Sequence, residues 1–236
     1  QGLAIIYNQY HRLGSNQGTH EAERALFQPL FTTSFLIEHF MRSNDWFGAE
    51  ALLTTSASSK TALGLAMVAK NLSPAIKRIG LTSEGNKAFV ETSGLYDEVI
   101  VYDDLKQVDA GQPIVSVDFA GNGRLLSDIH AHWGDGLKHS ALVGATHVEE
   151  RGGADDMQGP KPELFFAPTA AETLMKDIGP AAFRAQVDEQ FAAFVKGASA
   201  YLTIEDVTGA DALQTAYISM LSNAVAPSRG LMCHMD

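Results

Sequence analysis

Short apolar runs alternate along the chain with stretches of helical period, and the clearest instance lies at 49–70, AEALLTTSASSKTALGLAMVAK. Ala51, Leu52 and Leu53 form an apolar run ended by Thr54-Thr55. Small residues follow, Ser56-Ala57-Ser58-Ser59. Leu63, Ala66, Met67 and Ala69 then recur at the spacing of one helix face. This predicts strand, tight turn and helix. Such a turn gathers backbone N–H groups and a helix N-terminus where an anion can sit. Lys60 and Thr61 stand in its mouth.

The rest of the chain repeats the alternation. A strand is predicted at 2–13 and a polar loop at 14–18. A helix is predicted at 21–42, with Leu26, Leu30, Phe31, Phe35, Leu36 and Phe40 on one face. Pro29 is expected to break or restart it. Strands follow at 76–82, 98–102, 113–117 and 139–144. Between them lie helices at 83–93, closed by Gly94 in the C′ position, and at 124–133. An exposed loop covers 146–162. Beyond it come a strand at 163–167, helices at 169–177 and 180–196, the second with Pro at its first position, and a strand at 200–204. A helix at 210–224, whose apolar face reads as core, precedes a last strand at 230–235.

The strands are short, apolar and non-alternating, as in a parallel sheet covered on both faces. The expected fold is α/β, a doubly wound parallel sheet with helices on both faces. Its first five strands lie near 51–54, 77–82, 98–102, 114–117 and 140–144, and the later ones extend the sheet. The apolar Leu164-Phe165-Phe166 at a sheet edge would be a liability if left open. This makes the strand at 163–167 a candidate for pairing with a second copy, in a homodimer.

Charge narrows the partners. The 236 residues carry 28 acidic and 17 basic side chains, a formal net charge of −11. Nucleic acid and anionic membranes call for a basic footprint, so neither is an expected partner. No apolar run approaches the ~18 residues of a membrane span, and no secretory signal is evident; the expected location is cytoplasmic. The one cysteine, Cys233, excludes an intrachain disulfide and a cysteine zinc site. It reads as a small buried residue of the last strand. The chain opens on Gln1 inside a strand, and upstream sequence is expected to be missing.

From 30 to 235 the order of motifs resembles the nucleotide-binding half of the medium-chain dehydrogenase/reductases, in their zinc-independent quinone-reductase branch. Ser56-Ala-Ser-Ser-Lys-Thr-Ala62 stands where that family has its glycine-rich turn. Thr82-Ser83-Glu-Gly-Asn-Lys87 stands at the end of the second strand, and Val99-Ile-Val-Tyr102 at the third with its terminal Tyr. Val117-Asp118-Phe-Ala-Gly121 matches the fourth strand and its turn, and Leu142-Val-Gly144 the fifth. The tail matches the family's closing strand, helix and strand. The resemblance implies a Rossmann-type dinucleotide-binding domain over 21–236. Residues 1–20 are then the end of an N-terminal substrate domain. It also implies NADP(H) or NAD(H) as cofactor and hydride transfer to a small carbonyl, quinone or enone.

The departures lie at the glycines, which are Ser56, Ser59 and Ala62 here. The family's second glycine admits the pyrophosphate and its third brings helix and strand close. Ser59 adds a Cβ, and with it a hydroxyl donor. A turn of this kind is also what a serine-capped strand-to-helix connection requires.

The resemblance places Ser56, Ser58, Ser59, Lys60 and Thr61 around the cofactor's phosphates, and Val143, Gly144 and Ala145 near the nicotinamide. An NAD site wants an acid near the end of the second strand, for the ribose 2′-hydroxyl. Thr82 and Ser83 offer hydroxyls instead, and Lys87 follows one turn into the next helix. With Tyr102 they suit a 2′-phosphate, so NADP(H) is expected over NAD(H), although Glu84 is a contrary note. Lys87 is equally a solvated helix residue, and Ser83 an N-cap. No catalytic acid stands out.

Two further classes compete. A non-catalytic relic of the fold could sense nucleotides or drive oligomerisation. A degenerate P-loop would use Thr54, four residues, then Ser59-Lys60-Thr61, with Asp118 helping to hold Mg²⁺. It lacks both glycines that wrap a phosphate. His130-Ala-His132 sits in a helical stretch, where the two rings diverge, so no metal site is expected. No Gly-x-Ser-x-Gly elbow appears.

Overall fold

The computed structural model describes residues 20–143, 157–222 and 224–235. The strand expected at 2–13, most of the 146–162 loop, Gly144 and Ala145 lie outside these.

Six parallel strands form the main sheet in the order β3-β2-β1-β4-β5-β6. They are β1 (Ala51–Thr54), β2 (Lys77–Thr82), β3 (Glu98–Val101), β4 (Ile114–Asp118), β5 (Leu137–Leu142) and β6 (Glu163–Leu164). All five pairings are parallel, as the apolar runs predicted. Helix α1 (Glu21–Ser43) precedes the sheet, α2 (Lys60–Leu72) follows β1, α3 (Lys87–Ser93) follows β2 and α4 (Gly123–Trp133) follows β4.

Strand alternation sends side chains to two cores. Ala51, Leu53, Ile79, Leu81 and Ile114 pack with Leu125, Ile129 and Trp133 of α4. Leu52, Val115, Val117 and Ala141 pack with Ile37 and Met41 of α1 and Leu65 and Ala69 of α2 on the other face. Helices α5 (Ala167–Ile178) and α6 (Pro180–Ala198) add a layer, burying Phe183, Phe191 and Phe194 against Phe27, Phe31 and Phe35 of α1. The fold is therefore α/β and Rossmann-like, with helices on both faces.

Several expectations are corrected. Pro29 lies inside α1 without breaking it. A proline forfeits one intrahelical hydrogen bond, but the helix anchors both apolar layers through Phe31, Phe35 and Ile37, and that burial outweighs the loss. The strand expected at 200–204 begins at Thr203, as β7 (Thr203–Thr208). It does not extend the main sheet. With β8 (Arg229–His234) it forms a separate two-stranded parallel sheet.

The intervening α7 (Ala210–Leu221) has no buried residue, and Tyr217 and Leu221 are 63% and 68% exposed. Its apolar face is thus not core. Cys233 is exposed on β8. Among the described residues no helix is long and apolar enough to cross a membrane.

A crevice at the reversal of strand order

The strand order reverses between β1 and β4, because the chain moves from β1 outward through β2 and β3 and then returns to β1's other side. In open parallel sheets the crevice beyond the strand ends at such a point is where ligands bind. Thr55 closes β1 there and Asp118 closes β4. The buried Thr55 hydroxyl donates to Asp118 Oδ1 at 2.7 Å and accepts the N–H groups of Phe119 and Ala120 at 2.9 and 3.0 Å. Ala120 N–H also donates to Asp118 Oδ1. One hydroxyl thus fixes both strand ends and the start of the β4–α4 turn.

The turn 55–59 is welded to β2 from beneath. Ala57 N–H donates to Leu81 O, and the Tyr96 hydroxyl donates to Ala57 O at 3.1 Å. Burial pushes the Tyr96 hydroxyl's pKa well above the usual phenol range. Gly80 makes this contact possible: a Cβ there would lie 2.9 Å from the Tyr96 ring and 3.0 Å from Ala57 Cβ.

Ser56 has a φ of +48°, the left-handed region that favours glycine. The first glycine position is therefore still bent as a glycine would be. Its N–H donates to the Tyr102 hydroxyl at 3.3 Å, so the tyrosine after β3 reaches across β2's end to the turn. Ser59 caps α2, its hydroxyl accepting Ala62 N–H at 3.2 Å, a cap worth about 1 kcal/mol. Leu63 N–H goes to Ser59 O. The N–H groups of Lys60 and Thr61 have no acceptor among the described residues and open the helix toward the crevice. Ala62 is fully buried, while the close helix approach falls at Gly64, where a Cβ would meet Ser34 of α1.

The remaining expected residues divide. Asn86 donates to the Ser58 hydroxyl at 3.1 Å, tying the start of α3 to the turn. Thr82 is 1% exposed, and its hydroxyl has no hydrogen-bond partner among the described residues. It shares a sheet face with Gly80, two residues earlier, which turns toward Ala57. Ser83 is exposed and its side chain makes no cap. Lys87 is half-buried and lines a depression of about 240 Å³ with Glu98, Ile100 and Asp104, to which the turn 55–59 contributes no lining residue. The Lys60 ammonium points elsewhere, donating to Pro227 O at 2.8 Å and Arg229 O at 2.9 Å. Burial lowers its pKa. Val143 N–H is held by Asp118 O at the end of β5.

Thr55, Tyr96 and Asn86 were not singled out by sequence. Each works through a contact between segments distant in the chain, which no local pattern announces. His130 and His132 diverge as α4 requires: His130 bonds Gln158 O and the Ser140 hydroxyl, and His132 bonds Val108 O. No group of residues that could hold a metal occurs among the described residues.

The fold and crevice define an α/β, Rossmann-like class. The chain belongs to the family described as "Protein of unknown function (DUF2855)", whose model matches residues 1–226. None of the curated proteins matches the sequence. Among solved structures it is similar to CurA of Vibrio vulnificus in complex with NADPH, with a TM-score of 0.61 and 14% identity, covering 95% of this chain and 67% of CurA. A putative NADPH:quinone reductase of Mesorhizobium loti has a TM-score of 0.60 and 15% identity, covering 86% of this chain and 58% of its own. The human synaptic vesicle membrane protein VAT-1 homolog-like protein has a TM-score of 0.52 and 12% identity, covering 94% and 63%. At such identities the likeness is one of fold. The chain spans about two thirds or less of these proteins' lengths.

Proposed function

We propose that this chain forms the NADP(H)-binding part of a zinc-independent reductase that transfers hydride between the nicotinamide and a small carbonyl, quinone or enone. The observation that carries this reading is the turn at the β1–β4 reversal, which opens the Lys60 and Thr61 N–H groups of α2 over the strand ends. The orphaned, buried Thr82 hydroxyl fits a polar ligand lying across β2. The residue after β2 is Ser83 and not an acid, which favours a 2′-phosphate over a free 2′-hydroxyl. Two of the solved structures with this fold carry NADPH in their names.

In this reading the α2 N-terminus and the Ser58 and Ser59 hydroxyls hold the diphosphate. Thr82, Ser83, Lys87 and Tyr102 bind the adenosine end, and Val143, Gly144 and Ala145 adjoin the nicotinamide. The bound cofactor supplies the hydride, and these residues orient it. A non-catalytic nucleotide-binding domain is the second reading. It is favoured by the commitment of Lys60 to Pro227 and Arg229, which draws one cation away from the phosphates. The same contact leaves the P-loop reading with no lysine aimed at a phosphate.

Calorimetric titration with NADPH, NADH and Mg-ATP, followed by turnover of NADPH with quinones and enones, tests these readings. NADPH binding with turnover supports the reductase, and binding without turnover supports the second reading. Binding of neither dinucleotide overturns both. Tight Mg-ATP binding lost in Lys60→Ala would restore the P-loop.

Assembly through β6 belongs to the same proposal. This two-residue edge strand leaves Leu164 and Phe166 53% and 56% exposed. A dimer is expected by light scattering at micromolar concentration, and Leu164→Lys should dissociate it. A monomeric wild type would count against the edge pairing.

A further inference from the structure

A second cleft lies at the β6 edge of the main sheet, with a volume of about 430 Å³. Helix α1, strands β5 and β6 and helix α5 supply its walls, and none of its lining residues belongs to the crevice at the β1–β4 reversal. Phe40, Phe165, Phe166 and Leu174 make its interior largely apolar. Such a size and lining suit a small molecule.

One polar side chain on this lining has no internal use. His139 is 7% exposed, yet its ring has no hydrogen-bond partner among the described residues. Buried polar groups are ordinarily paired. Its nitrogens are not sealed in, because the ring forms part of the cleft wall. The Phe47 ring stacks on it with centroids 4.3 Å apart and planes 7° apart, and Phe40 packs at 5.6 Å. Phe47 reaches this place from a turn in which Asp45, Trp46, Phe47 and Gly48 all have φ between +49° and +75°, a run that residues other than glycine avoid. A phenylalanine at 139 would fill the same stack without burying a polar group. The imidazole is thus held firmly with its nitrogens left for a partner from outside the chain.

The charges around the cleft specify that partner. Glu163 and Asp177 line it, and no lysine or arginine does. Glu163 pairs in register with Ala141 of β5, so its carboxylate stands on the sheet face that carries His139. Burial lowers the His139 pKa against the pull of Glu163, and the neutral ring offers one acceptor nitrogen. His39, the other imidazole of the cleft, is already in contact with Arg42 and Ser43, and Arg42 is paired with the buried Glu38. An anion therefore finds no free counter-charge here. An ammonium finds an acceptor nitrogen and a carboxylate on one wall, with phenyl rings for its apolar body.

We propose that this cleft binds a primary arylalkyl amine, whose ammonium donates to His139 and Glu163 and whose ring lies among Phe40, Phe165 and Phe166. The site does not depend on the dinucleotide reading, and the two stand or fall separately.

Calorimetric titration of the full chain with 2-phenylethylamine tests this, with 2-phenylethanol and 3-phenylpropionate as its neutral and anionic counterparts. The amine should bind with a Kd of about 1 mM or below, as expected of so small a probe. Both counterparts should bind at least about tenfold more weakly, the difference that a charge-assisted contact makes. His139→Phe should bind the amine at least about tenfold more weakly, yet unfold at a urea midpoint equal to or above that of wild type, because no internal hydrogen bond is lost. A purely structural histidine would not give that combination. Glu163 is exposed, so Glu163→Gln keeps the test decisive even where His139→Phe fails to fold; it should weaken the amine about tenfold and bring it level with the alcohol. Equal binding of amine and propionate overturns the proposal, as does undiminished amine affinity in either variant. So does a wild type that binds no amine; where light scattering then shows a dimer, the second copy takes the amine's place.

Discussion

The Thr55 hydroxyl donates to the Asp118 carboxylate at 2.7 Å, joining the ends of β1 and β4 across the point where the strand order reverses. The same oxygen accepts two N–H groups from the turn after β4. Thr55→Val preserves shape and removes all three contacts, leaving the Phe119 N–H without its acceptor. A buried donor deprived of its partner costs roughly 1–3 kcal/mol, so a loss of about 2–3 kcal/mol is expected. The urea midpoint measures it, at unchanged m-value. A shift below about 0.5 kcal/mol, the range of ordinary surface substitutions, would show that the hydroxyl is not the hub of the turn.

In the proposed function, cofactor preference is expected to turn on Lys87. A 2′-phosphate brings about two negative charges at neutral pH. An ammonium with neighbouring hydroxyls should favour NADPH over NADH by roughly 1–3 kcal/mol, about tenfold to a hundredfold in Kd. Lys87→Ala should erase most of that preference and leave NADH affinity nearly unchanged. The lysine lies beside Glu98 and Asp104 and must swing from that depression to reach the ligand. Equal wild-type affinities for the two cofactors would refute the assignment.

Ser56 holds a left-handed backbone at φ +48° without being glycine. That conformation costs an L-residue about 1–2 kcal/mol. Ser56→Gly relieves it, against the greater unfolded-state entropy of glycine and one weak hydroxyl contact to Tyr102 at 3.5 Å. The variant should be neutral or stabilised by up to about 1 kcal/mol in thermal unfolding. Destabilisation by more than about 1 kcal/mol would mean that the Ser56 hydroxyl outweighs the strain.

Acid sensitivity should come from His130. Its ring is buried, and desolvation lowers its pKa, opposed by the hydrogen bond with Gln158 O. The unfolded chain therefore binds a proton at higher pH than the native one. Stability is fully present above the unfolded value of about 6.5 and is lost as pH falls through the depressed native value. His39 and His139 are lowered by burial in the same direction. Glu38, raised chiefly by burial, works oppositely and loses stability as pH rises from the ordinary carboxylate range. His130→Gln should lower stability at pH 7 but flatten its decline between pH 7 and 5.5, in denaturation series at each pH. A slope equal to wild type would remove His130 from the account.

The local chemistry of the sequence determined the main sheet. The run Ala51-Leu52-Leu53, the small residues 56–59 and the period of 63–69 could form little other than strand, turn and helix. Successive short apolar strands separated by helices leave parallel pairing as the way to bury both faces. The helix cap at Ser59 and the left-handed bend at Gly94 follow from single residues.

Tertiary structure decided what depended on contacts between distant segments. Pro29 stays helical because α1 is clamped between layers, which its own sequence does not record. β7 and β8 read as further strands of the sheet, yet they pair with each other, since an apolar strand does not specify its neighbour. The apolar face of α7 and the thiol of Cys233 read as core and are exposed, because hydrophobicity states a preference for burial without supplying the surface to bury against. Lys60 stands in the mouth of the turn by sequence. The position of Pro227 and Arg229, more than 160 residues later, decides where its ammonium goes.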